Sequence, residues 1–381
     1  MKPSASILFA LFAALLCGCA GSSSLLPGDF SESIYTPSHA SGFEIRATDR
    51  CASTLVTIRN PWQGGADVEQ HLLLLRGNDL PPESFPGQVV HAPVHRIVCM
   101  STSHVALFGA IGQESRICGV SGLDYISNPW IREHGLRGEI RDVGYDTNLN
   151  FELLSAMRPD LILLYGVTGE NTVITRKLEE LAIPYIYIGD YMEESPLGKA
   201  EWMVVAAELC DLREAGIDTL RRIAADYNRI REQIARKTPE HRPRVMLNTP
   251  YRDTWFMPST RSYMVRLIED AGGAYIYPQN DSNASVAVDM EEAYLLASKA
   301  DCWINVGACN TLRELTAQNP KFASVPAVRN RRVWNNNRLR TPAGGSDFWE
   351  SGVVRPDRIL EDLRTVFEDS DAPTLYYQRL E

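Results

Sequence analysis

The chain has 381 residues, of which 44% are apolar and 23% are charged, a composition typical of globular proteins rather than of disordered or coiled-coil chains. A chain of this length usually exceeds one compact core, so two lobes are expected. Lys and Arg number 38 against 48 Asp and Glu, and the resulting net charge of −10 gives no support to general electrostatic attraction to nucleic acid.

The first 18 residues have the pattern of a secretory signal peptide. Lys2 precedes the apolar run 7–16, which is too short for an ordinary membrane span. The sequence Leu-Cys-Gly-Cys at 16–19 resembles a bacterial lipobox, whose last cysteine is lipidated. The resemblance implies a periplasmic protein that is anchored to a bacterial membrane through lipid on Cys19, with residues 20–24 as a polar tether.

The remaining cysteines and the histidines predict no metal site. Six cysteines follow Cys19 without any CxxC pair, so the chain lacks the composition of a disulfide scaffold. Cys99, Cys118 and Cys302 fall in apolar runs and are interpreted as small buried hydrophobic residues, with disulfide bridges, which export would permit, or metal ligands as the alternatives. The seven histidines form no tract, which disfavours a dedicated zinc or manganese binder.

Residues 25–88 show short alternating segments typical of β-strands. Phe43, Ile45 and Ala47 alternate with polar residues, and two apolar runs flank the turn sequence Asn-Pro-Trp-Gln-Gly-Gly at 60–65. A proline-rich connection follows. The pattern predicts a small antiparallel β extension, within a tether-and-extension region of residues 19–90, which lacks a sufficient core of its own and packs on the rest of the chain.

From residue 96 onward, short apolar strands alternate with helical segments, and the alternation restarts after Pro243. Such alternation predicts βαβ units with parallel sheets that are covered on both faces. The predicted fold class is therefore α/β, with two Rossmann-like lobes at residues 91–195 and 241–381.

A long helix is predicted between the two lobes, within a bridging region of residues 196–240. It spans residues 213–236 and is roughly 36 Å long at 1.5 Å per residue. Because a long helix packed along both lobes resists hinge closure, the cleft between the lobes is expected to be largely preformed. Its apolar side chains recur at helical spacing: Leu220, Ile223, Ala224, Tyr227, Ile230 and Ile234.

With two α/β lobes joined by one long helix, the chain resembles the periplasmic solute-binding proteins of bacterial ABC importers for ferric siderophores, haem and cobalamin. The resemblance covers residues 95–369. It is carried by the bridging helix and by the segments RIVCMSTSH at 96–104, ELLSAMRPDLIL at 152–163, AGGA at 271–274 and GGSDFWE at 344–350. It implies a monomeric binding protein without a cofactor, which captures a ferric siderophore or a related iron or corrin complex between its lobes and delivers it to ABC permease subunits in the inner membrane. The β extension is not part of the basic family pattern.

Ligands of open α/β sheets bind outside the carboxyl ends of the strands, so the loops that follow the strands hold the candidate binding residues. Aromatic side chains are frequent in these loops, and arginines cluster between residues 329 and 340. Arginine donates in a forked geometry to carboxylate, catecholate or phosphate oxygens, so an arginine in the cleft would favour an anionic iron complex over cobalamin. The residues predicted to bind ligand are Tyr125, Tyr165, Tyr251, Trp255, Arg338 and Trp349.

The resemblance also assigns one carboxylate on each lobe to docking on arginines of the permease. Glu152 matches this position in the first lobe, and Glu291 is the nearest match in the second, with Glu292 as an alternative. Each lies in the first turn of a predicted helix, so stabilisation of the helix dipole is the competing explanation.

The sequence also leaves alternative functions open. Cobalamin and haem are the alternatives within the class, and a hydrolase or metal-dependent enzyme, or a structural envelope lipoprotein, are the alternatives outside it. The sequence contains no GxSxG, HExxH, Walker or strand-linked GxGxxG motif. Ser101, Ser103 and His104 are interpreted as a capped helix start rather than as nucleophilic machinery, so no catalytic residue is predicted.

Overall fold

The computed structural model describes residues 25–167, 169–237, 242–282 and 284–381. The predicted signal peptide, the tether and Cys19 lie outside these ranges. Within them, no helix is long and apolar enough to cross a membrane. The six cysteines of the described ranges are all unbridged; Cys99 and Cys302 are buried as interpreted, and Cys118 is partly exposed.

The predicted β extension is a five-stranded sheet whose strands lie in chain order. They are β1 (Glu32–Tyr35), β2 (Phe43–Ala47), β3 (Thr54–Arg59), β4 (Glu69–Leu75) and β5 (Gln88–His91). The first four strands pair antiparallel as predicted, whereas β5 runs parallel to β4. The parallel pair arises because residues 76–87 carry the chain back along the sheet before β5 begins.

The N-terminal lobe is built on a wholly parallel sheet with the order β10-β9-β6-β7-β8. Ser101 caps the first helix by accepting a hydrogen bond from the backbone N–H of Ser103, as interpreted from the sequence. The strands are β6 (Ile97–Cys99), β7 (Ile117–Val120), β8 (Arg141–Asp142), β9 (Leu161–Leu164) and β10 (Tyr185–Tyr187), and the helices are α1 (Thr102–Gly109), α2 (Pro129–Leu136), α3 (Phe151–Met157) and α4 (Thr172–Glu180).

Three helices connect the lobes: α5 (Pro196–Glu201), α6 (Met203–Leu209) and α7 (Arg213–Arg236). Helix α7 has the bounds predicted from its apolar spacing, and its buried side chains include Ile223, Tyr227 and Ile230. The hydroxyl of Tyr227 donates to Asp270 Oδ2 in the C-terminal lobe at 2.7 Å. The long bridging helix of the predicted fold is confirmed.

The C-terminal lobe repeats the parallel arrangement, with the order β13-β11-β15-β16-β17 and only β17 antiparallel. β12 and β14 form a separate antiparallel pair in the same lobe. The strands are β11 (Arg244–Leu247), β12 (Trp255–Met257), β13 (Ala274–Tyr275), β14 (Val286–Val288), β15 (Cys302–Ile304), β16 (Val333–Asn335) and β17 (Gln378–Arg379). The helices are α8 (Tyr263–Asp270), α9 (Met290–Ala297), α10 (Leu312–Gln318), α11 (Pro326–Arg329), α12 (Ser351–Val354) and α13 (Pro356–Phe367).

Three buried carboxylates fasten the extension to the rest of the chain: Glu193 at the end of the N-terminal lobe, Glu201 in α5 and Glu208 in α6. Glu201 accepts hydrogen bonds from the Tyr35 hydroxyl at 2.6 Å and from the backbone N–H of Ala40 at 2.6 Å. Because a buried carboxylate is tolerated only when it is paired and hydrogen-bonded, these contacts make the extension an integral part of the folded chain.

The other two carboxylates act in the same way at different points of the extension. Glu193 accepts from the backbone N–H groups of Ser41 at 2.8 Å and Gly42 at 2.9 Å. Glu208 accepts from the Thr54 hydroxyl at 2.6 Å and forms an ion pair with Arg76 at 2.8 Å. The extension is therefore held along both of its halves.

Candidate ligand-binding cleft

A central cavity of about 540 Å³ lies between the lobes at the carboxyl ends of their strands. Loops after β6 and β7 form its wall on the N-terminal lobe, and loops after β11, β15 and β16 form its wall on the C-terminal lobe. This is the edge at which open α/β sheets bind their ligands, and the volume falls within the range of small-molecule sites.

The exposed aromatic side chains concentrate at this edge. Six aromatic residues of the described ranges are exposed, and five of them follow the carboxyl end of a strand in their lobe. Tyr125 and Trp349, which are 44% and 45% exposed, both line the central cavity. The full set is Tyr125, Tyr145, Tyr165, Tyr251, Phe256 and Trp349, of which only Phe256 lies within a strand.

Tyr165 and Tyr251 lie near this edge but outside the wall of the central cavity. The Tyr165 hydroxyl is hydrogen-bonded to Asp146, and its pKa is raised by burial and by that carboxylate. Tyr251 is largely exposed, with the Arg252 guanidinium 5.4 Å from its ring centroid. Their assignment to ligand binding stays a prediction.

The prediction for Trp255 is wrong, because its side chain is 0% exposed. The residue begins β12, and its indole N–H donates to the carbonyl oxygen of Leu247 at 2.8 Å. Its ring packs against Trp303 and Phe322 at centroid distances of 5.6 and 5.5 Å. Trp255 therefore belongs to the core of the C-terminal lobe.

The structure does not place Arg338 in the wall of the central cavity, which Arg340 lines instead. The side chain of Arg338 is exposed and does not line the central cavity, whereas Arg340 does. The chain turns back after β16, so that Arg340 forms a β-bridge with Ser346. This turn directs Arg340 to the cavity, where its guanidinium donates to Asn310 Oδ1.

Asparagines form much of the cavity wall on the C-terminal lobe. Asn248, Asn305 and Asn336 are each the first residue after a parallel strand, namely β11, β15 and β16. Asn248 and Asn305 have φ angles of 66° and 60°, a left-handed conformation that asparagine tolerates better than most residues. Sequence reasoning missed these residues, although an asparagine directly after three apolar runs was a visible signal.

The orientation of Asn305 is fixed, whereas one end of Asn336 has no partner. Asn305 Oδ1 accepts a hydrogen bond from the Tyr377 hydroxyl at 2.8 Å. Asn336 is 5% exposed, and its Nδ2 atom is buried without a hydrogen-bond partner among the described residues. The wall therefore offers neutral amides beside a single guanidinium.

The lobes touch on both sides of the central cavity. Glu350, which is buried, accepts hydrogen bonds from the backbone N–H groups of Ser127 at 2.6 Å and Asn128 at 2.7 Å, and burial raises its pKa to about 7. On the other side, Glu194 of the N-terminal lobe forms an ion pair with Arg261 of the C-terminal lobe. These contacts fix the spacing of the two walls.

A rear cavity of about 760 Å³ also lies between the lobes, along α7. It is bounded mainly by helices, including α1 and α2, rather than by the carboxyl ends of the strands. Its four arginines are matched by four carboxylates: Arg132, Arg222, Arg340 and Arg355 face Glu114, Asp226, Asp347 and Glu350. Its mixed charge and its position make it a weaker candidate than the central cavity.

Glu152 and Glu291, the residues predicted to dock on a permease, are both exposed. Each lies in the first turn of its helix, after the capping residues Asn150 and Asp289. Neither forms an ion pair within the part of the chain that the structure describes. Their role in docking stays a prediction. His104 is fully buried, so it does not reach the cleft.

A family model described as "Periplasmic binding protein" matches residues 97–335. The chain is 25% identical over 333 residues to an uncharacterised lipoprotein of Methanocaldococcus jannaschii, a match that covers 81% of this chain and 77% of the relative. A second lipoprotein of that organism is 26% identical over 300 residues, covering 73% of this chain and 74% of the relative.

Solved structures share the fold at low sequence identity. A periplasmic haem-binding protein of Pseudomonas aeruginosa has a TM-score of 0.58 at 18% identity, with 76% of this chain and 98% of that chain covered. A periplasmic vitamin B12-binding protein of Vibrio cholerae has a TM-score of 0.52 at 16% identity, with 74% and 99% covered. The siderophore-binding protein of Vibrio cholerae with bound Fe³⁺-Desferal has a TM-score of 0.51 at 16% identity, with 72% and 99% covered.

The family match extends over more than half of the chain and confirms the predicted family, while the β extension precedes its first residue. The order of the strands, the bridging helix and the cleft at the strand ends agree with this match. The chain belongs to the periplasmic binding protein family.

Proposed function

We propose that this chain is the solute-binding component of an ABC importer, which captures a ferric siderophore or a related iron complex in the central cavity and delivers it to permease subunits in the membrane. The observation that carries the proposal is the composition of that cavity. It combines an exposed aromatic ring from each lobe, Tyr125 and Trp349, with the guanidinium of Arg340.

Each of these groups suits an iron complex with aromatic or conjugated chelating groups. A ring that stacks on Tyr125 or Trp349 would contribute about 0.5–1.5 kcal/mol beyond its buried area. A hydrogen bond from Arg340 to an anionic oxygen would contribute about 1.5–3 kcal/mol. The amides of Asn248, Asn305 and Asn336 add neutral hydrogen-bonding groups on the same wall, which suits a ligand rich in oxygen atoms.

Arg340 favours an anionic iron complex over cobalamin, which relies more on apolar contacts. Haem would need a tyrosine or histidine as an axial ligand to its iron. The central cavity offers the phenol of Tyr125, and no histidine lines it within the described ranges. Cobalamin and haem are therefore the alternatives that the binding test has to separate from a siderophore.

The proposal includes the position of the protein in the cell. The chain is held at the membrane by lipid on Cys19, acts as a monomer and presents Glu152 and Glu291 to the permease. The lipobox-like sequence and the relatives named as lipoproteins support the anchor. The exposure of both glutamates supports docking.

The test is a binding panel on the purified mature chain. The probes are a ferric tris-catecholate, a ferric trihydroxamate, haemin and cyanocobalamin, each followed by tryptophan fluorescence and by the colour that is retained after gel filtration. We expect a ferric siderophore to bind with a dissociation constant of about 1 μM or lower, on the order of −8 kcal/mol. The iron-free siderophores serve as controls.

The outcomes separate the alternatives. Retention of cyanocobalamin or haemin alone would replace the iron-siderophore assignment with that ligand. Retention of none of the probes, with the chain folded by circular dichroism, would contradict the proposal and favour a structural role.

A further inference from the structure

The extension that precedes the family match reaches the ligand cleft. Gln63, in the loop between β3 and β4, lines a side cavity of about 260 Å³. This side cavity shares Asn248, Asn305 and Trp349 with the central cavity. The two cavities are therefore neighbouring parts of one cleft, and the extension supplies part of its wall.

The loop that carries Gln63 is fixed against two loops of the N-terminal lobe. The backbone N–H of Gln63 donates to the carbonyl oxygen of Val167 at 3.1 Å. The neighbouring Trp62 is buried and contacts Tyr187 edge to face, with ring centroids 5.1 Å apart. The Tyr191 hydroxyl donates to the carbonyl oxygens of Gly166 and Val167 and so ties these loops together.

The carboxylates that anchor the extension reinforce this position. Glu193, which also lines the side cavity, accepts hydrogen bonds from Ser41 and Gly42 of the extension and from the indole N–H of Trp202. The attachment therefore runs from the strands of the extension to the wall of the cleft. A loop held in this way has a defined position before any ligand arrives.

The side cavity is lined largely by polar side chains. The one arginine in its lining, Arg261, is already in an ion pair. Glu194 and Arg261 form an ion pair across the cavity, and Glu193 is already hydrogen-bonded. The amide of Gln63 and the Ser285 hydroxyl of the opposite lobe also line this cavity and can meet a ligand. The hydroxyls of Ser259 and Ser262 already accept from backbone N–H groups, and the hydroxyl of Ser282 donates to Asn280 Oδ1.

We infer that the loop of residues 60–65 is the end wall of the ligand cleft, and that Gln63 selects ligands by hydrogen bonding to an uncharged polar arm, such as an amide or a hydroxyl group. This inference rests on the proposed function, with the iron-bearing part of the complex in the central cavity. A charged arm is disfavoured because moving a charge out of water costs free energy, and the arginine of the side cavity is already paired and does not offset that cost.

The experiment compares Gln63→Trp with Asn78→Trp. Residue 78 is exposed in the loop between β4 and β5 of the same extension and lines neither the central nor the side cavity. The probes are the ferric trihydroxamate and the ferric tris-catecholate, whose linkers carry amide groups. We expect Gln63→Trp to raise the dissociation constant at least tenfold, because the indole fills the side cavity, and Asn78→Trp to leave it unchanged.

A second variant removes the hydrogen bond without filling the cavity. Gln63→Ala is expected to raise the dissociation constant roughly two- to tenfold, the effect of one lost neutral hydrogen bond. Its melting temperature is expected to equal that of the wild type, so this variant decides the question if Gln63→Trp melts at a lower temperature.

The two proposals fail in different ways. If the wild type binds a ferric siderophore and both Gln63 variants bind it equally well, the inference about the extension is overturned and the proposed function stands. If the wild type binds neither ferric siderophore, both are overturned.

Discussion

The two walls of the cleft stand at equivalent positions of similar sheets, yet their chemistry differs. On the N-terminal lobe, exposed tyrosines follow three strands of the sheet: Tyr125, Tyr145 and Tyr165 come after β7, β8 and β9, and of these three Tyr125 lines the central cavity. On the C-terminal lobe, asparagines follow three neighbouring strands: Asn248, Asn305 and Asn336 come after β11, β15 and β16. Phenol rings provide surfaces for stacking, whereas amides and Arg340 provide hydrogen bonds. Under the proposed function, we expect the N-terminal wall to contribute a stacking surface, and the C-terminal wall to contribute hydrogen bonds together with the ring of Trp349.

The largest effect is expected outside the walls, where the lobes would meet a permease. Glu152→Arg is expected to reduce uptake of a ⁵⁵Fe-labelled siderophore to that of cells without the protein, because the new charge would repel arginines of the permease. Its dissociation constant should not change, since Glu152 is exposed and lines neither the central nor the side cavity.

The same change on the other lobe tests whether the lobes dock equally. Glu291→Arg should also abolish uptake, and Glu292→Arg tests the alternative residue on the same helical turn. Normal uptake by the Glu152→Arg cells would remove that residue from the docking surface.

The next largest effect distinguishes a tryptophan in the core of the C-terminal lobe from one in the wall of the cavity. Trp255→Ala is expected to lower the free energy of unfolding by about 3–5 kcal/mol, because it empties a fully buried position. The cavity variant Trp349→Ala should instead leave the urea midpoint nearly unchanged and weaken binding. A Trp255→Ala protein with wild-type stability would contradict the assignment of this ring to the core.

Glu350 joins the walls, and its ionisation should appear in the pH dependence of stability. Its pKa is about 7 when folded and about 4.5 ordinarily, so the folded chain binds more protons between these values. The contribution of Glu350 to the free energy of unfolding is therefore fully present below pH 4.5. About 3 kcal/mol of it is lost as the pH rises to 7. Free energies of unfolding measured in urea should decrease less between pH 4.5 and 7 for Glu350→Gln than for the wild type. The same pH dependence in both proteins would contradict the raised pKa of Glu350.

The polarity of the C-terminal wall is tested by Arg340→Ala. Loss of a charged hydrogen bond of about 1.5–3 kcal/mol should weaken binding of a ferric tris-catecholate roughly 10- to 100-fold. Arg338→Ala is the matched control and should bind as the wild type does, since Arg338 does not line the central cavity. Equal affinities for the two variants would show that Arg340 does not contact the ligand.

The smallest effect concerns the aromatic N-terminal wall. Tyr125→Ala is expected to weaken binding roughly two- to tenfold, as one stacking contact of about 0.5–1.5 kcal/mol is lost. Tyr125→Phe keeps the ring and should retain most of the affinity. If the phenylalanine variant binds as weakly as the alanine variant, the hydroxyl rather than the ring makes the contact.

The parts of the fold that could be predicted are those set by local periodicity. The bounds of α7 follow from apolar residues at helical spacing, and the strands of both lobes follow from short apolar runs. The parallel pairing of β5 with β4 was not predicted, because pairing direction depends on the path of a loop.

The candidate site was harder to predict, because its composition depends on which loops meet across the cleft. Arg338 and Arg340 are arginines of the same loop, so the sequence alone does not tell which one reaches the cavity. The turn that pairs Arg340 with Ser346 places Arg340 there. Trp255 lies in a region rich in loops, but it begins a short strand that buries it. Gln63 was missed because it is far in sequence from every other residue of the cleft.

The buried acids at positions 193, 201 and 208 have a consequence for how such a chain can change over evolution. Residues 25–91 cover these carboxylates and supply most of the donors that satisfy them. With the sheet in place, losing an acid would leave buried N–H groups without an acceptor, whereas without the sheet the same positions would face water and need no partner. The acids are therefore constrained only while the sheet is present, so gain or loss of the sheet and substitution at the three sites are expected to occur together.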